Sequence, residues 1–418
     1  MSAPTASSPP SPAIPPRESL MTPLRLRLSL MFFLEFFVWG AWFVTLGTYL
    51  AVELEATGSQ IALAFLTQSL GAILAPFVVG LVADRFFPAQ KILGILHAVS
   101  ALMLLLAGRQ QEFGPFFVFA LAAMVAFMPT LALVNSISFR RMARPDRQFP
   151  SVRVLGTIGW IVAGLVIGWL GWEAGERLEL TFVMAAIGSA LLAVYAFTLP
   201  DTPPEDRTQR PSVRDILGLD ALALLKDRSY LVFFIASVLI CVPLAFYYNF
   251  TNLYLNEIGV SSAAAVQSLG QVSEALFLLA MPLMLRRLGV KWTLVIGMLA
   301  WALRYTLFAV GDADGLYALV LIGLILHGVC YDFFFVAGQI HTDRFAPSRV
   351  RSAAQGLISL ATYGVGLLLG SLISGPLVDA FRLADGTHDW RAVWLIPAAL
   401  AAAVAVFFVL AFRERPGR

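Results

Sequence analysis

The stretch Gln271-Val-Ser-Glu274-Ala-Leu-Phe-Leu-Leu-Ala-Met-Pro-Leu-Met-Leu285-Arg286-Arg287-Leu-Gly-Val-Lys291 decides the fold. Its apolar part belongs to a run over about 262–285, long enough to cross roughly 30 Å of hydrocarbon as a helix. The run ends on Arg286, Arg287 and Lys291. Lys and Arg accumulate on the cytoplasmic side of membrane proteins, so this end of the span is predicted to face the cytoplasm. Glu274 sits about halfway along the run. A carboxylate at that depth is costly and marks a cavity, an ion path or a partner.

The rest of the chain repeats the pattern. Of 418 residues, 59% are hydrophobic and 13% charged, with mean hydropathy +0.80. A soluble domain carries roughly 25% charge. Apolar runs of spanning length fall at about 28–51, 60–83, 90–108, 114–138, 151–172, 179–199, 230–254, 262–285, 291–311, 315–341, 353–379 and 390–412, which predicts twelve helices. The tails and even-numbered connections hold 23 Lys and Arg against 4 in the odd-numbered ones, placing both termini in the cytoplasm. Cys241 and Cys330 lie inside apolar runs and suggest no disulfide framework. Four histidines without a Cys/His cluster suggest no metal site. No cofactor and no nucleic-acid partner are expected.

Residues 1–22, rich in Pro, Ser and Ala, read as a disordered cytoplasmic tail. The longest inner connection, 200–229, separates a six-helix bundle over 23–199 from a second over 230–412, followed by a short tail at 413–418. Within the connection, Ser212 to Lys226 has the pattern of an amphipathic surface helix. Two six-helix halves joined this way follow the plan of the major facilitator superfamily, with the substrate near the midplane. Gly80-Leu-Val-Ala-Asp84-Arg85 with Lys91, after helix 2, is echoed by Arg286-Arg287-Leu-Gly-Val-Lys291 after helix 8. The first of these resembles the superfamily's signature loop, which implies an inner-gate role for Asp84 and Arg85.

Five charges lie inside apolar runs: Glu35, Arg153, Glu274, Arg304 and Asp332. Gln271 and Glu274 share one face of helix 8. Removing a carboxyl group from water favours its neutral form, so Glu274 suits a substrate-binding or proton-carrying role, the alternative being a structural hydrogen bond. Asp332, set in Tyr331-Asp332-Phe333-Phe334-Phe335, has no base within a turn. It reads as a proton-coupling site or as an ion pair with Arg153 or Arg304. Arg153, Thr157 and Trp160 form a stripe on helix 5, although Arg153 lies near the basic loop and also fits an inner-surface charge. Asn249 and Asn252 suggest a hydrogen-bonding face on helix 7. Glu35, Trp39 and Trp42 share a stripe of helix 1, which fits a cavity role for Glu35. Arg304 reads as structural, with its head snorkelling towards an interface. His97 and His327 read as helix contacts.

Trp39-Gly-Ala-Trp42, Met128-Pro-Thr130, Asn135-Ser136, Phe149-Pro-Ser-Val-Arg153-Val-Leu-Gly-Thr157-Ile-Gly-Trp160, Leu217-Gly-Leu-Asp220-Ala, Gln271-Val-Ser-Glu274, Arg304-Tyr305, Tyr331-Asp332-Phe333-Phe334 and Ala353-Ala-Gln355-Gly356 occur in this order. Together, over about 25–412, they resemble the nucleoside:proton symporter family of the major facilitator superfamily. The resemblance implies uptake of nucleosides with protons by a monomer in the bilayer of a bacterial inner membrane. It also implies that Arg153, Thr157, Trp160, Asn249, Gln271, Glu274, Tyr331 and Asp332 hold the substrate, with Asp332 and Glu274 carrying the proton. Ribose hydroxyls suit carboxylates and amides, and a base suits aromatic faces. Phe246 and Glu35 stand where family members carry Gln, which makes both candidate modulators of specificity or coupling. Two rival readings are a proton-coupled carrier of a sugar, glycoside or other polar metabolite, and a non-transporting membrane sensor. No nucleophile–base pair points to an enzyme.

Overall fold

Apolar segments in lipid must satisfy their own backbone hydrogen bonds, and the helix does this within a single segment. The computed structural model describes residues 23–78, 87–142, 144–175, 177–203, 219–347 and 350–413, and the described residues are helical apart from turns and one isolated bridge, Arg382 to His388. The helices are α1 (Pro23–Glu53), α2 (Gly58–Val78), α3 (Ala89–Ala107), α4 (Phe113–Arg141), α5 (Pro145–Leu170), α6 (Glu179–Ala196) and α7 (Arg228–Glu257). The next apolar helix, Ala263–Val310, spans 48 residues, about 72 Å at 1.5 Å per residue and far more than one bilayer crossing. Gly289 breaks it with φ 70° and ψ 179°, so it is two spans, α8 (263–288) and α9 (290–310). α10 (Tyr317–Phe345), α11 (Ala353–Ala380) and α12 (Trp390–Ala411) complete twelve passes. Among the described residues, the twelve helices predicted from the apolar runs are present, the second described as far as Val78.

Local chemistry sets several of the ends. The Asp227 carboxylate accepts from the backbone N–H groups of Ser229 and Tyr230 at the start of α7. Gly171, at φ 66°, closes α5 in the left-handed conformation that glycine adopts without strain. Pro129, Pro150, Pro243, Pro282, Pro376 and Pro397 interrupt backbone bonding inside α4, α5, α7, α8, α11 and α12. Large apolar side chains such as Leu279, Val194 and Leu410 point outward and are exposed, as a lipid-facing surface requires.

In the first half, α1 packs on α5 and α6, and α4 on α2 and α3; in the second, α7 packs on α11 and α12. Across the halves, α2 meets α11, α5 meets the start of α8, and α1 meets α7. In the long connection, Leu219–Lys226 forms a 3₁₀ helix, while residues 212–218 of the amphipathic helix expected there lie outside the described residues. The same holds for Asp84 and Arg85 of the expected inner gate.

Candidate functional site

The two halves present partly accessible polar and aromatic side chains to one another near mid-span. From the first half come Arg153, Thr157 and Trp160 on α5, all half-buried. The Arg153 guanidinium lies 4.1 Å from the Phe36 ring centroid and 5.8 Å from that of Phe32. A cation over aromatic faces is held without losing its charge. Trp160 meets Trp39 edge-to-face at 5.4 Å, and Trp39 stands 5.7 Å from Phe127, so an aromatic wall backs the stripe. The Arg153 side chain therefore lies over α1.

From the second half come α8 and α10, brought together at Gly328, where a Cβ atom would collide with the backbone of Ser273 and Glu274. The Ser273 hydroxyl donates to the Ile325 carbonyl across the same contact. This close approach places Gln271 and Glu274 beside His327, Tyr331 and Asp332. The Glu274 side chain is 27% exposed at mid-helix, so it is not sealed in the core. Arg153 across the interface and Asp332 on α10 lie within electrostatic reach of it.

Arg304 is 0% exposed, which overturns the snorkelling expectation. Its guanidinium carbon stacks 3.4 Å over the Tyr247 ring, and Nη1 donates to His327 Nδ1 at 3.1 Å. Arginine can only donate, so Nδ1 is the acceptor and a neutral His327 carries its proton on Nε2. Nε2 lies 3.9 Å from Glu274 Oε2, beyond a direct hydrogen bond. Tyr247 stacks on His327 at 5.2 Å, fixing the ring plane. Sequence reading missed the Arg304–His327 hydrogen bond and the placement of the His327 ring beside Glu274. The available signal was two mid-span polar residues on neighbouring helices, each needing a partner.

Asp332 is 1% exposed, and its Oδ2 has no hydrogen-bond partner among the described residues. It forms no ion pair with Arg153 or Arg304, so that alternative is not realised. Asp332–Val336 is a π turn, and a second π turn, Leu360–Gly366, lies on α11. The two are joined by the Tyr331–Tyr363 hydroxyl pair and by Phe335 stacked on Tyr363 at 5.7 Å. Wide turns of this kind rotate side chains off the regular helical stripe and recur at functional sites. No periodicity in the sequence foretold them.

Three expected residues lie elsewhere. Asn249 is 3% exposed, and its amide donates to Ser371 and Ser374 Oγ on α11, each at 3.2 Å. Phe246 is 1% exposed inside the apolar core of the second half. Glu35 does not face the cavity. It is 0% exposed, accepting from Thr130 Oγ1 at 2.5 Å and meeting His97 Nε2 at 2.9 Å. Ser189 Oγ donates to the His97 carbonyl and so accepts from His97 Nδ1–H, both at 2.9 Å. The remaining contact, Nε2 to Oε2, needs one proton, which the pair shares. Glu35 and His97 satisfy one another inside the first half. The described residues contain no group of three or more metal-ligating side chains.

The model of the "Nucleoside H+ symporter" family matches residues 22–416. This chain belongs to the nucleoside:proton symporter family. It is 43% identical to the putative nucleoside transporter YegT of Escherichia coli over 93% of both chains. It is 34% identical to the xanthosine permease of the same organism, over 93% of this chain and 96% of the relative. A crystal structure of nucleoside transporter NupG superposes with a TM-score of 0.86 at 32% identity, covering 94% of this chain and all of that one. The fold is accordingly that of the major facilitator superfamily, and the family member described here is a multi-pass membrane transporter.

Proposed function

We propose that this family member takes up nucleosides together with protons across a bacterial inner membrane, as a monomer with both termini in the cytoplasm. The observation that carries the reading is a half-buried cation on one half, Arg153 over the Phe36 ring, and a half-buried carboxylate on the other, Glu274 beside His327, with the buried Asp332 close by on α10. A ribose offers vicinal hydroxyls, which the half-buried Glu274 and Gln271 can accept from or donate to, with the buried Asp332 behind them. A base offers a flat face and a polar edge, which Trp160, Tyr331 and the Arg153 stripe match. Thr157 adds a hydroxyl between Arg153 and Trp160. Asn249, turned to α11, supports the wall that Tyr363 belongs to and does not contact substrate directly.

Coupling follows from the cost of an ionised carboxylate with a bare oxygen at this depth. A proton on Asp332, or a donor from the substrate, removes that cost and lets the cavity close and reorient. The loaded form then alternates between sides by rocking of one half against the other. The test is uptake of labelled uridine and adenosine by proteoliposomes with an alkaline interior, competed by other nucleosides and by free sugars. Accumulation that collapses with the pH gradient and is blocked by nucleosides alone supports the reading. Competition by free sugars at equal concentration overturns it in favour of a sugar carrier.

A further inference from the structure

Among the described residues, hydrogen bonds between the halves cluster at one end of the bundle, the end away from the termini. Two carboxylates organise them. Glu173, just after α5, accepts from the Ala264 N–H at the start of α8 at 3.0 Å, and from the side-chain amides of Asn252 and Asn256 on α7 at 3.0 and 3.2 Å. Asp379, near the end of α11, accepts from the N–H groups of Gly58 and Ser59 at the start of α2 at 2.5 and 2.9 Å, and from Ser59 Oγ at 2.6 Å.

The arrangement is two-fold. Helix 5 of the first half corresponds to helix 11, and helix 2 to helix 8, each pair six apart in a chain of two six-helix repeats. Each half therefore sends a carboxylate from the end of its fifth helix to the first free N–H groups of the other half's second helix. A carboxylate matches such a helix start both by hydrogen bonding and by the helix dipole. Between the two caps, Thr48 Oγ1 on α1 donates to Asn252 Oδ1 on α7 at 2.6 Å. Backbones close up beside each cap: a Cβ on Gly375 would strike Ser59, and one on Gly168 would strike Ala265. Thr48, Asn256 and Asp379 also line a cavity of about 260 Å³, so these polar groups can exchange their partners for water without disturbing apolar core.

We propose that Glu173 and Asp379 are paired latch residues that hold this end, the outer face by the positive-inside count, closed in the inward-open stage of the cycle. They are positioning residues for alternating access and do not contact substrate. Opening this end separates α5 from α8 and α2 from α11, and both caps must break together. The assignment rests on the transporter reading above, but its test needs no nucleoside and so fails or succeeds separately.

The test is the distance between spin labels at Gln111→Cys and Asp314→Cys, two exposed positions on connections at this end of opposite halves, measured in nanodiscs; the native Cys241 and Cys330 are buried. Wild type is expected to show mainly the short distance. Glu173→Ala or Asp379→Ala should raise the long-distance population at least two-fold, and the double variant should make it the majority. Ser59→Ala and Asn256→Ala, which remove donors and keep both carboxylates, should shift it in the same direction by less; they decide the matter should the double variant not fold. An unchanged distribution in the folded carboxylate variants, or in both donor variants, overturns the assignment.

Discussion

The two halves bury carboxylates in opposite ways. In the first half, Glu35 is closed off from solvent and fully engaged by Thr130 and His97, with Ser189 bonding the far side of the ring. In the second half, Asp332 keeps a bare oxygen and Glu274 stands 3.9 Å from His327 Nε2, beyond a direct hydrogen bond. A charge with all its bonds made is a strut, costly to remove and slow to change state. A charge left short of partners is poised, because a proton or a ligand can supply what is missing. On the proposed function, the contrast assigns the coupled proton to the second half, with Arg153 as its counterpart on the first.

Substitutions can break that contrast. The largest effect is expected from Arg153→Ala and Glu274→Ala, each losing a charge-assisted contact of about 1.5–3 kcal/mol, roughly 10- to 150-fold in nucleoside affinity. Thermal-shift titration or direct binding measures it, and full affinity in both variants would remove the site. Next is Glu35→Ala, which leaves His97 and Thr130 without their partner in the core. It should cost about 3–5 kcal/mol of stability while the folded fraction keeps wild-type affinity. Denaturation in detergent checks the first part, and a parallel loss of affinity would contradict the second. Arg304→Met frees the His327 ring to turn. It should lower transport about ten-fold with little change in affinity, because coupling through Glu274 loses its orientation while the contact surface remains. The smallest effect is expected from Tyr363→Phe, which removes one neutral hydrogen bond to Tyr331, worth about 1 kcal/mol or some five-fold in affinity. A loss approaching that of Glu274→Ala would make the π turns part of the binding site proper.

Much of this was written in the sequence, and what was not has a physical reason. The twelve spans were legible because each must be apolar over membrane depth, and the only ambiguity, the join at Gly289, was resolved by the basic residues flanking it. Glu274 and Asp332 were legible as misfits: a carboxylate without a local base in an apolar run needs an explanation at once. Arg304 and Glu35 were legible as misfits too, but their partners were not; His97 and His327 are the helix contacts they were read as. Which misfits pair depends on how helices far apart in sequence pack, and spacing along one helix says nothing about that. Asn249 shows the same limit, since its face is turned to Ser371 and Ser374, more than a hundred residues away. The π turns of α10 and α11 and the crossed caps at Glu173 and Asp379 are contacts of backbone geometry, for which the residue pattern holds no periodic signal.

The most direct measurement sets Asp332→Asn beside Glu35→Gln in proteoliposomes, following nucleoside accumulation as the pH gradient is varied. The account predicts that Asp332→Asn still exchanges labelled for unlabelled nucleoside but no longer accumulates it with the gradient, while Glu35→Gln keeps gradient-driven accumulation. Gradient-driven accumulation that survives in Asp332→Asn and vanishes in Glu35→Gln would place the coupled proton in the first half and contradict the account.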